Sequence, residues 1–188
     1  DYVSATLLPL ILRTLDRSFQ PLRRDFENHA GKARLVAVVS PSCGKCLDGV
    51  DALHASFLPR VKSEDLLVMI VWASLMPTDV TPKIVTLAER YADPRLIHYW
   101  DDSGRIARAF AAALGLAPGQ SVNNVFLLYG PDDTWDPDRT MDQEPADHNA
   151  LLAGWRPGPW RLRMGEHRAV QMSAFDLNAL ERAVEALL

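Results

Sequence analysis

Cysteine is scarce in this 188-residue chain: there are two, Cys43 and Cys46. One pair cannot supply the disulfide framework that replaces a core in small secreted scaffolds. Positive charge is not in excess either. Lys and Arg number 20 against 24 Asp and Glu, a net charge of −4, and no basic stripe stands out, so nucleic acid is a poor partner. Long apolar runs are missing too. No segment approaches the roughly 20 apolar residues that cross a bilayer. The early run from Leu7 to Leu12 is short, and Arg13, Asp16 and Arg17 follow it at once. Internal repeats and low-complexity tracts are absent. The first residue is Asp1 rather than Met, so the expectation is a processed chain or a fragment, and a removed signal peptide would leave no trace.

The remaining composition is that of a soluble globular protein, with 48% hydrophobic and 23% charged residues. The length suits one domain with a full core. Leu8, Ile11, Leu15, Phe19, Leu22 and Phe26 recur at steps of three and four, which predicts an amphipathic helix over 8–26, kinked or split at Pro21. Residues 34–39 and 66–72 are short, β-branched-rich runs and read as buried strands. Between them, Ser40-Pro41-Ser42 breaks the first run and helical spacing takes over through residues 43–58, up to Pro59. Thr81 and Pro82 predict the start of another helix, as a cap followed by a first-turn proline. Residues 96–100 and 122–129 read as strands, and Ser103 and Gly115 as the cap and stop of a helix between them. Residues 130–159 carry five prolines and many acids, so they read as an irregular insertion. A short helix is expected within 148–153, and Trp135, Trp155 and Trp160 are expected to pin the insertion over the sheet. The tail predicts a last, antiparallel strand from Trp160 and a helix introduced by Ser173 and Asp176 as a capping box. Alternating strands and helices predict an α/β fold: a central mixed sheet with helices on both faces. The chain divides into an N-terminal helical extension, 1–30, and a main domain, 31–188, interrupted by the 130–159 insertion.

Chemistry concentrates in Cys43-Gly44-Lys45-Cys46, where a strand runs into a helix. The first amides of a helix lack intrahelical partners, and with the dipole they favour an anion. A thiolate at Cys43 is such an anion, and Lys45 adds positive charge beside it. Cys46 stands one turn later on the same face, within reach for a disulfide. The functional reading makes Cys43 a nucleophile and Cys46 the thiol that resolves the mixed disulfide; the plainer alternative is an incidental pair.

On these residues the chain resembles the thioredoxin-like superfamily. Asp101-Asp102-Ser103-Gly104 through Phe110 is similar to the D-x-x-G-x-x-A-x-x-Y/F segment of its redoxin branch. The resemblance covers roughly 31–130 and implies a thioredoxin-like fold with thiol–disulfide exchange. Three departures are visible. The cis-proline that faces the motif in the family is replaced by Asn123 or Asn124, since cis peptides are essentially confined to proline. Ser42 and Lys45 stand where Trp and Pro are frequent. Ala37 stands where the family has a buried acid. The peroxiredoxin pattern is half met, by Ser40 but not by Val36.

The site expected from sequence is therefore Cys43 and Cys46, supported by Ser40, Ser42, Lys45, Asn123 and Asn124. No cofactor and no metal ligand set is assigned. The expected partner is a protein or small-molecule disulfide or thiol, in the cytoplasm first and the periplasm second. Two rival readings stay open: a thiolate metal-binding module, since paired thiolates suit soft metals, and a non-catalytic thioredoxin-like adaptor. His54 shares a helical face with Cys43 but lies about 16 Å along the helix, too far for a shared ion. His98 reads as a satisfied buried histidine, and Asp48 and the acids of 130–144 read as solvated.

Overall fold

The computed structural model describes residues 12–113, 117–133, 160–161 and 177–188. Its centre is one six-stranded sheet. Leu12–Thr14 (β1) forms one edge. Ala33–Val39 (β2) and Leu66–Ala73 (β3) are buried along their whole length, as apolar parallel strands covered on both faces are. They run parallel, Ala33 beside Leu66 through Val39 beside Trp72. Leu96–Asp101 (β4) lies parallel to β3, and β1 parallel to β4. Val125–Tyr129 (β5) runs antiparallel against β2, and Trp160–Arg161 (β6) antiparallel against β5.

Period-two alternation along the strands separates two cores. Val36, Val38, Met69, Val71 and Tyr99 point to one face. Two helices cover it, Gln20–Asn28 (α1) through Leu22 and Phe26 and Arg105–Ala113 (α4) through Ile106 and Phe110. Leu35, Ala37, Val39, Val68, Ile70 and Trp72 point to the other face. Three helices cover this one: Gly44–Ala52 (α2), Thr81–Arg90 (α3) and Leu177–Glu185 (α5). The expected mixed sheet with helices on both faces is present.

The N-terminal helix departs from expectation. Instead of one helix over 8–26 there is β1, a turn, and then α1 from Gln20. Leu12–Thr14 finds backbone partners beside β4, and Leu15 N donates to Trp100 O at 2.8 Å. Asp16 then accepts from Ser18 N at 3.0 Å and from its hydroxyl at 2.7 Å, which fixes a turn. Pro21 falls in the first helical turn, where a missing N–H costs nothing, so it starts the helix rather than kinking it. Leu15 and Phe19 still reach the α1 core, which is why the helical spacing misled.

Smaller differences have local causes. Val80, not Thr81, is the cap position of α3, and no side chain caps it. The helix after the cysteines widens at Leu53–Phe57 into a π turn, closed by Leu58 N to Leu53 O at 2.9 Å. The strand expected over 122–129 starts only at Val125, because Asn124 adopts φ +63°. Gly115, the expected helix at 148–153, Trp135, Trp155, Ser173 and Asp176 lie outside the described residues.

Arg34, inside an apparently apolar strand, is wholly buried. Its guanidinium lies 4.1 Å from the Phe26 ring centre. It donates to the carbonyls of Phe26 at 3.0 Å, Gly130 at 2.5 Å and Asp133 at 2.8 Å. Arg34 pairs with Tyr129, and Leu128 with Trp160. Tyr129 and Trp160 therefore both stand at the end of the sheet opposite the cysteine turn.

The Asp-Asp-Ser-Gly turn between β4 and α4 is built by one carboxylate. Asp101 accepts from Ser103 N at 3.1 Å, Ser103 Oγ at 2.6 Å and Ile106 N at 2.8 Å. Gly104 has φ +62°, and a Cβ there would run into the Ser74 carbonyl oxygen. Gly104→Ala is expected to cost about 1–3 kcal/mol of stability, read as a lower urea midpoint at unchanged slope; an unchanged midpoint would show that the turn relaxes without cost.

Candidate functional site

β2 points at the motif. Its last residue is followed by Ser40, which is fully buried, so each of its polar atoms needs a partner inside the protein. Ser40 N donates to Asn123 Oδ1 at 2.9 Å, its hydroxyl donates to Asp79 Oδ2 at 3.1 Å, and its carbonyl accepts from Cys43 N at 3.2 Å. Ser42 N closes the turn on the Ser40 hydroxyl at 3.3 Å.

Cys43 occupies the cap position of α2 in an extended conformation, φ −89° and ψ 112°. A cap residue normally uses a side-chain oxygen to accept from one of the unpaired first-turn amides. Here a sulfur does so: Cys43 Sγ accepts from Cys46 N at 3.3 Å. Both thiols are free, Cys43 half-buried and Cys46 buried.

Cys46 is 0% exposed, and its Sγ donates to Asn123 Oδ1 at 3.0 Å. The Ser40 amide settles which amide atom this is, because an N–H already donates to Oδ1 there. Burial first, and then the hydrogen bond with Cys43, push the Cys46 thiol far above its ordinary pKa. In this state Cys46 is a neutral, protonated thiol. The two sulfurs thus differ sharply: one half-exposed at the open amide end of a helix, the other sealed and protonated a turn away.

Asn123, through Cys46, and Asn124, through the Lys45 carbonyl, both contact the motif, and among the described residues there is no cis peptide bond. Asn124 takes φ +63°, a conformation Asn tolerates better than most residues. Its Nδ2 donates to Lys45 O at 3.3 Å. A Cβ on Gly49 would stand 3.1 Å from Phe126 Cζ and 3.3 Å from Asn124 Oδ1, so a glycine there lets α2 lie close against this segment. The Lys45 side chain is exposed.

Three residues at the site were not anticipated. Ser42 Oγ accepts from Thr78 Oγ1 and from Lys83 Nζ, both at 2.9 Å. Lys83 is thus a cation bonded to the residue preceding Cys43. Asp79 Oδ2 also accepts from the Leu75 and Met76 amides, each at 2.9 Å. Burial works to raise the Asp79 pKa, but the hydrogen bonds from Ser42, the two amides and Ser40 outweigh it, and the carboxyl ends below its ordinary value. The stretch Thr81-Pro82-Lys83 carried only a helix-start signal, and nothing local marked Asp79.

The other candidates lie apart. His54 bonds the Ala92 carbonyl at 3.3 Å and packs its ring on Tyr91. His98 is buried between the Trp72 indole N–H, at 3.2 Å, and the Tyr91 carbonyl, also 3.2 Å, and burial lowers its pKa to about 4. Asp48 is exposed. Among the described residues no group of three His, Cys, Asp or Glu side chains could hold a metal ion, and no helix is long and apolar enough to cross a membrane.

No protein-family model and no curated protein matches the sequence. Solved structures do. A Bacteroides vulgatus protein provisionally described as a thiol-disulfide oxidoreductase is 14% identical, over 86% of this chain and 82% of that one, with a TM-score of 0.41. A provisionally described thioredoxin from Neisseria meningitidis is 21% identical over 56% of this chain, with a TM-score of 0.38, and the match spans 61% of its length. An uncharacterised thioredoxin-like protein from Porphyromonas gingivalis is 14% identical over 55% of this chain and 60% of that one, with a TM-score of 0.37. By its own topology the fold is thioredoxin-like: β2 and β3 parallel at the centre, β5 antiparallel on the other side of β2, and the cysteine pair at the turn from β2 into α2.

Two outcomes follow from the asymmetry. Iodoacetamide at neutral pH is expected to modify Cys43 and to reach Cys46 only after unfolding, as mapped by peptide mass. Asn123→Ala strips the acceptor from a buried amide and a buried thiol, so the reduced protein should lose about 1–3 kcal/mol. In urea melts the oxidised protein should lose less, since Cys46 then has no S–H to donate. Equal losses in both forms would remove Asn123 from the thiol's environment.

Proposed function

We propose that the chain is a thiol–disulfide oxidoreductase. The observation that carries this reading is the Cys43 sulfur capping α2, 3.3 Å from the Cys46 amide, with Cys46 sealed beside Asn123.

In the reducing direction, Cys43 loses its proton and Sγ attacks one sulfur of the substrate disulfide. The S–S bond breaks, and the leaving sulfur departs with the electron pair and takes up a proton. Cys43 is now joined to the other substrate sulfur as a mixed disulfide. Cys46 then gives up its proton and attacks Cys43 Sγ, releasing the second substrate thiol and leaving a Cys43–Cys46 disulfide. Two electrons and two protons pass from the dithiol to the substrate, and the reverse sequence oxidises a dithiol partner.

Each residue has a separate part. Cys43 is the half-exposed attacker, and the first-turn amides of α2 favour negative charge on it. Cys46 is withheld from outside reagents by burial and released for the internal step. Asn123 positions Cys46 by accepting its S–H, while Ser40 and Ser42 fix the turn. Lys83, bonded to Ser42, brings positive charge to the motif from α3; Lys45 sits on the solvent side.

Serine substitution separates the steps. Cys43→Ser is expected to abolish reduction of a protein disulfide. Cys46→Ser should complete only the first step and accumulate a covalent adduct with the substrate, visible by intact mass and removed by dithiothreitol. Wild-type turnover by Cys43→Ser would overturn the assignment.

A further inference from the structure

We propose that the cleft at the end of the sheet opposite the cysteine turn binds a small organic monoanion, a carboxylate carried on a compact apolar body. The site lies one strand length from the motif, about 20 Å along β2, and does not depend on the oxidoreductase reading.

The cleft forms where β2 and β3 begin, with Ala33 beside Leu66. The chain approaches β2 from the end of α1 and β3 from the π turn that follows α2. Residues from both approaches, together with Pro94 and Arg95 just before β4, enclose a space of about 530 Å³. One water fills only about 30 Å³, whereas small-molecule sites span roughly 300–1,000 Å³. Buried Leu58 and Leu66 and exposed Pro94 give the cleft an apolar lining.

Lysine is rare in this chain: only four of the 20 Lys and Arg residues are lysine. Lys45 and Lys83 stand at the cysteine turn. The other two, Lys32 and Lys62, both line this cleft. The plainer reading is that they answer the carbonyl ends of the helices that finish here. Other groups already do that. Arg95 donates to Leu58 O at 3.0 Å and to Val61 O, and its charge is met by Asp93 at 3.0 Å. His29 N donates to Asp25 O at 3.2 Å, and its ring Nδ1 lies 2.7 Å from the same oxygen. Lys32 places one of its three N–H donors on Glu64 O, at 2.8 Å. Lys62 is exposed and has no hydrogen bond or ion pair among the described residues.

Two ammonium groups with donors to spare therefore line one apolar cleft. Glu64 is the one carboxylate among the lining residues, so two positive charges against one negative leave a single positive charge unmet. That balance favours a monoanion over a phosphate dianion. A bare ion would leave the apolar lining uncovered, and a neutral apolar molecule would leave the ammonium groups without a partner. A carboxylate on an apolar body meets both.

The test titrates the full chain by calorimetry at low salt with three probes: naphthalene-2-carboxylate, naphthalene-2-methanol and acetate. The naphthalene carboxylate is expected to bind once per chain, about fivefold more tightly than either of the others. Lys62→Gln should weaken it about threefold and leave the alcohol unchanged. Glu64→Gln should tighten it by about the same factor, a gain that damage to the fold cannot imitate. Both side chains are exposed, so neither substitution disturbs packing. No binding of the naphthalene carboxylate, or equal affinity for the carboxylate and the alcohol, overturns the anion site. Acetate binding as tightly as the naphthalene carboxylate overturns the apolar body. Binding that neither substitution changes lies elsewhere on the protein and overturns the assignment to this cleft.

Discussion

A strand that is apolar on both faces still has polar backbone where it ends, and β2 ends inside the protein. Ser40 is buried, and an unpaired amide or hydroxyl there would cost free energy comparable to a lost hydrogen bond. The chain meets this with three groups brought from elsewhere: Asn123 on the amide, Asp79 on the hydroxyl and the Cys43 amide on the carbonyl. Each bond also fixes a neighbour of the motif. Satisfying the end of one strand sets the cap of α2, the segment before β5 and the loop after β3 at the same time.

From that junction the difference between the two sulfurs follows. Cys43 is the cap residue, so its side chain faces the open amides and stays half-exposed. Cys46 is one turn on, on the face that packs with Val50 and Phe126 in the core. Burial disfavours its thiolate, and Asn123 offers an acceptor that keeps the proton in place. The hydrogen bond exists only while Cys46 carries its proton, so it belongs to the dithiol and is lost in the disulfide. Asn123 therefore bears on the balance between the two redox forms as well as on the shape of the turn.

Much of this was legible in the sequence because it is local. Residues 34–39 and 66–72 read as buried strands, and the Ser-Pro-Ser break and the helical spacing after it placed a helix start at Cys43; Asn123 or Asn124 came from the resemblance and not from local pattern. The rest depended on distance. Leu15 and Phe19 carry helical spacing with Leu22 and Phe26, yet the backbone of Leu12–Thr14 is claimed by β4, some 85 residues later. Arg34 falls within a run read as a buried strand, and only distant groups, the carbonyls of Phe26, Gly130 and Asp133 and the Phe26 ring, show how its guanidinium is buried. Nothing local in the Met-Pro-Thr-Asp stretch marks Asp79; its partner Ser40 lies nearly 40 positions away.

The place of Asp79 also explains why Ala37 can stand where the resemblance expected an acid. Ala37 is buried between Ile70 and Phe126 in the same core as Cys46. A carboxylate there would enter an apolar layer among strand residues whose amides are already paired, and burial alone would force it neutral. At the loop, burial acts on Asp79 in the same sense, but two free amides and two hydroxyls overcome it. The charge is thus kept outside the strand and bound to Ser40, the residue that opens the turn to Cys43. One carboxylate holds the turn that aims the sulfur and the loop that follows β3. Groups sharing one network do not contribute independently, so perturbations at Ser40, Ser42 and Asp79 should not add. Removing the carboxylate releases the Ser40 hydroxyl and the Leu75 and Met76 amides together, whereas removing the Ser40 hydroxyl leaves the loop amides still tied to it.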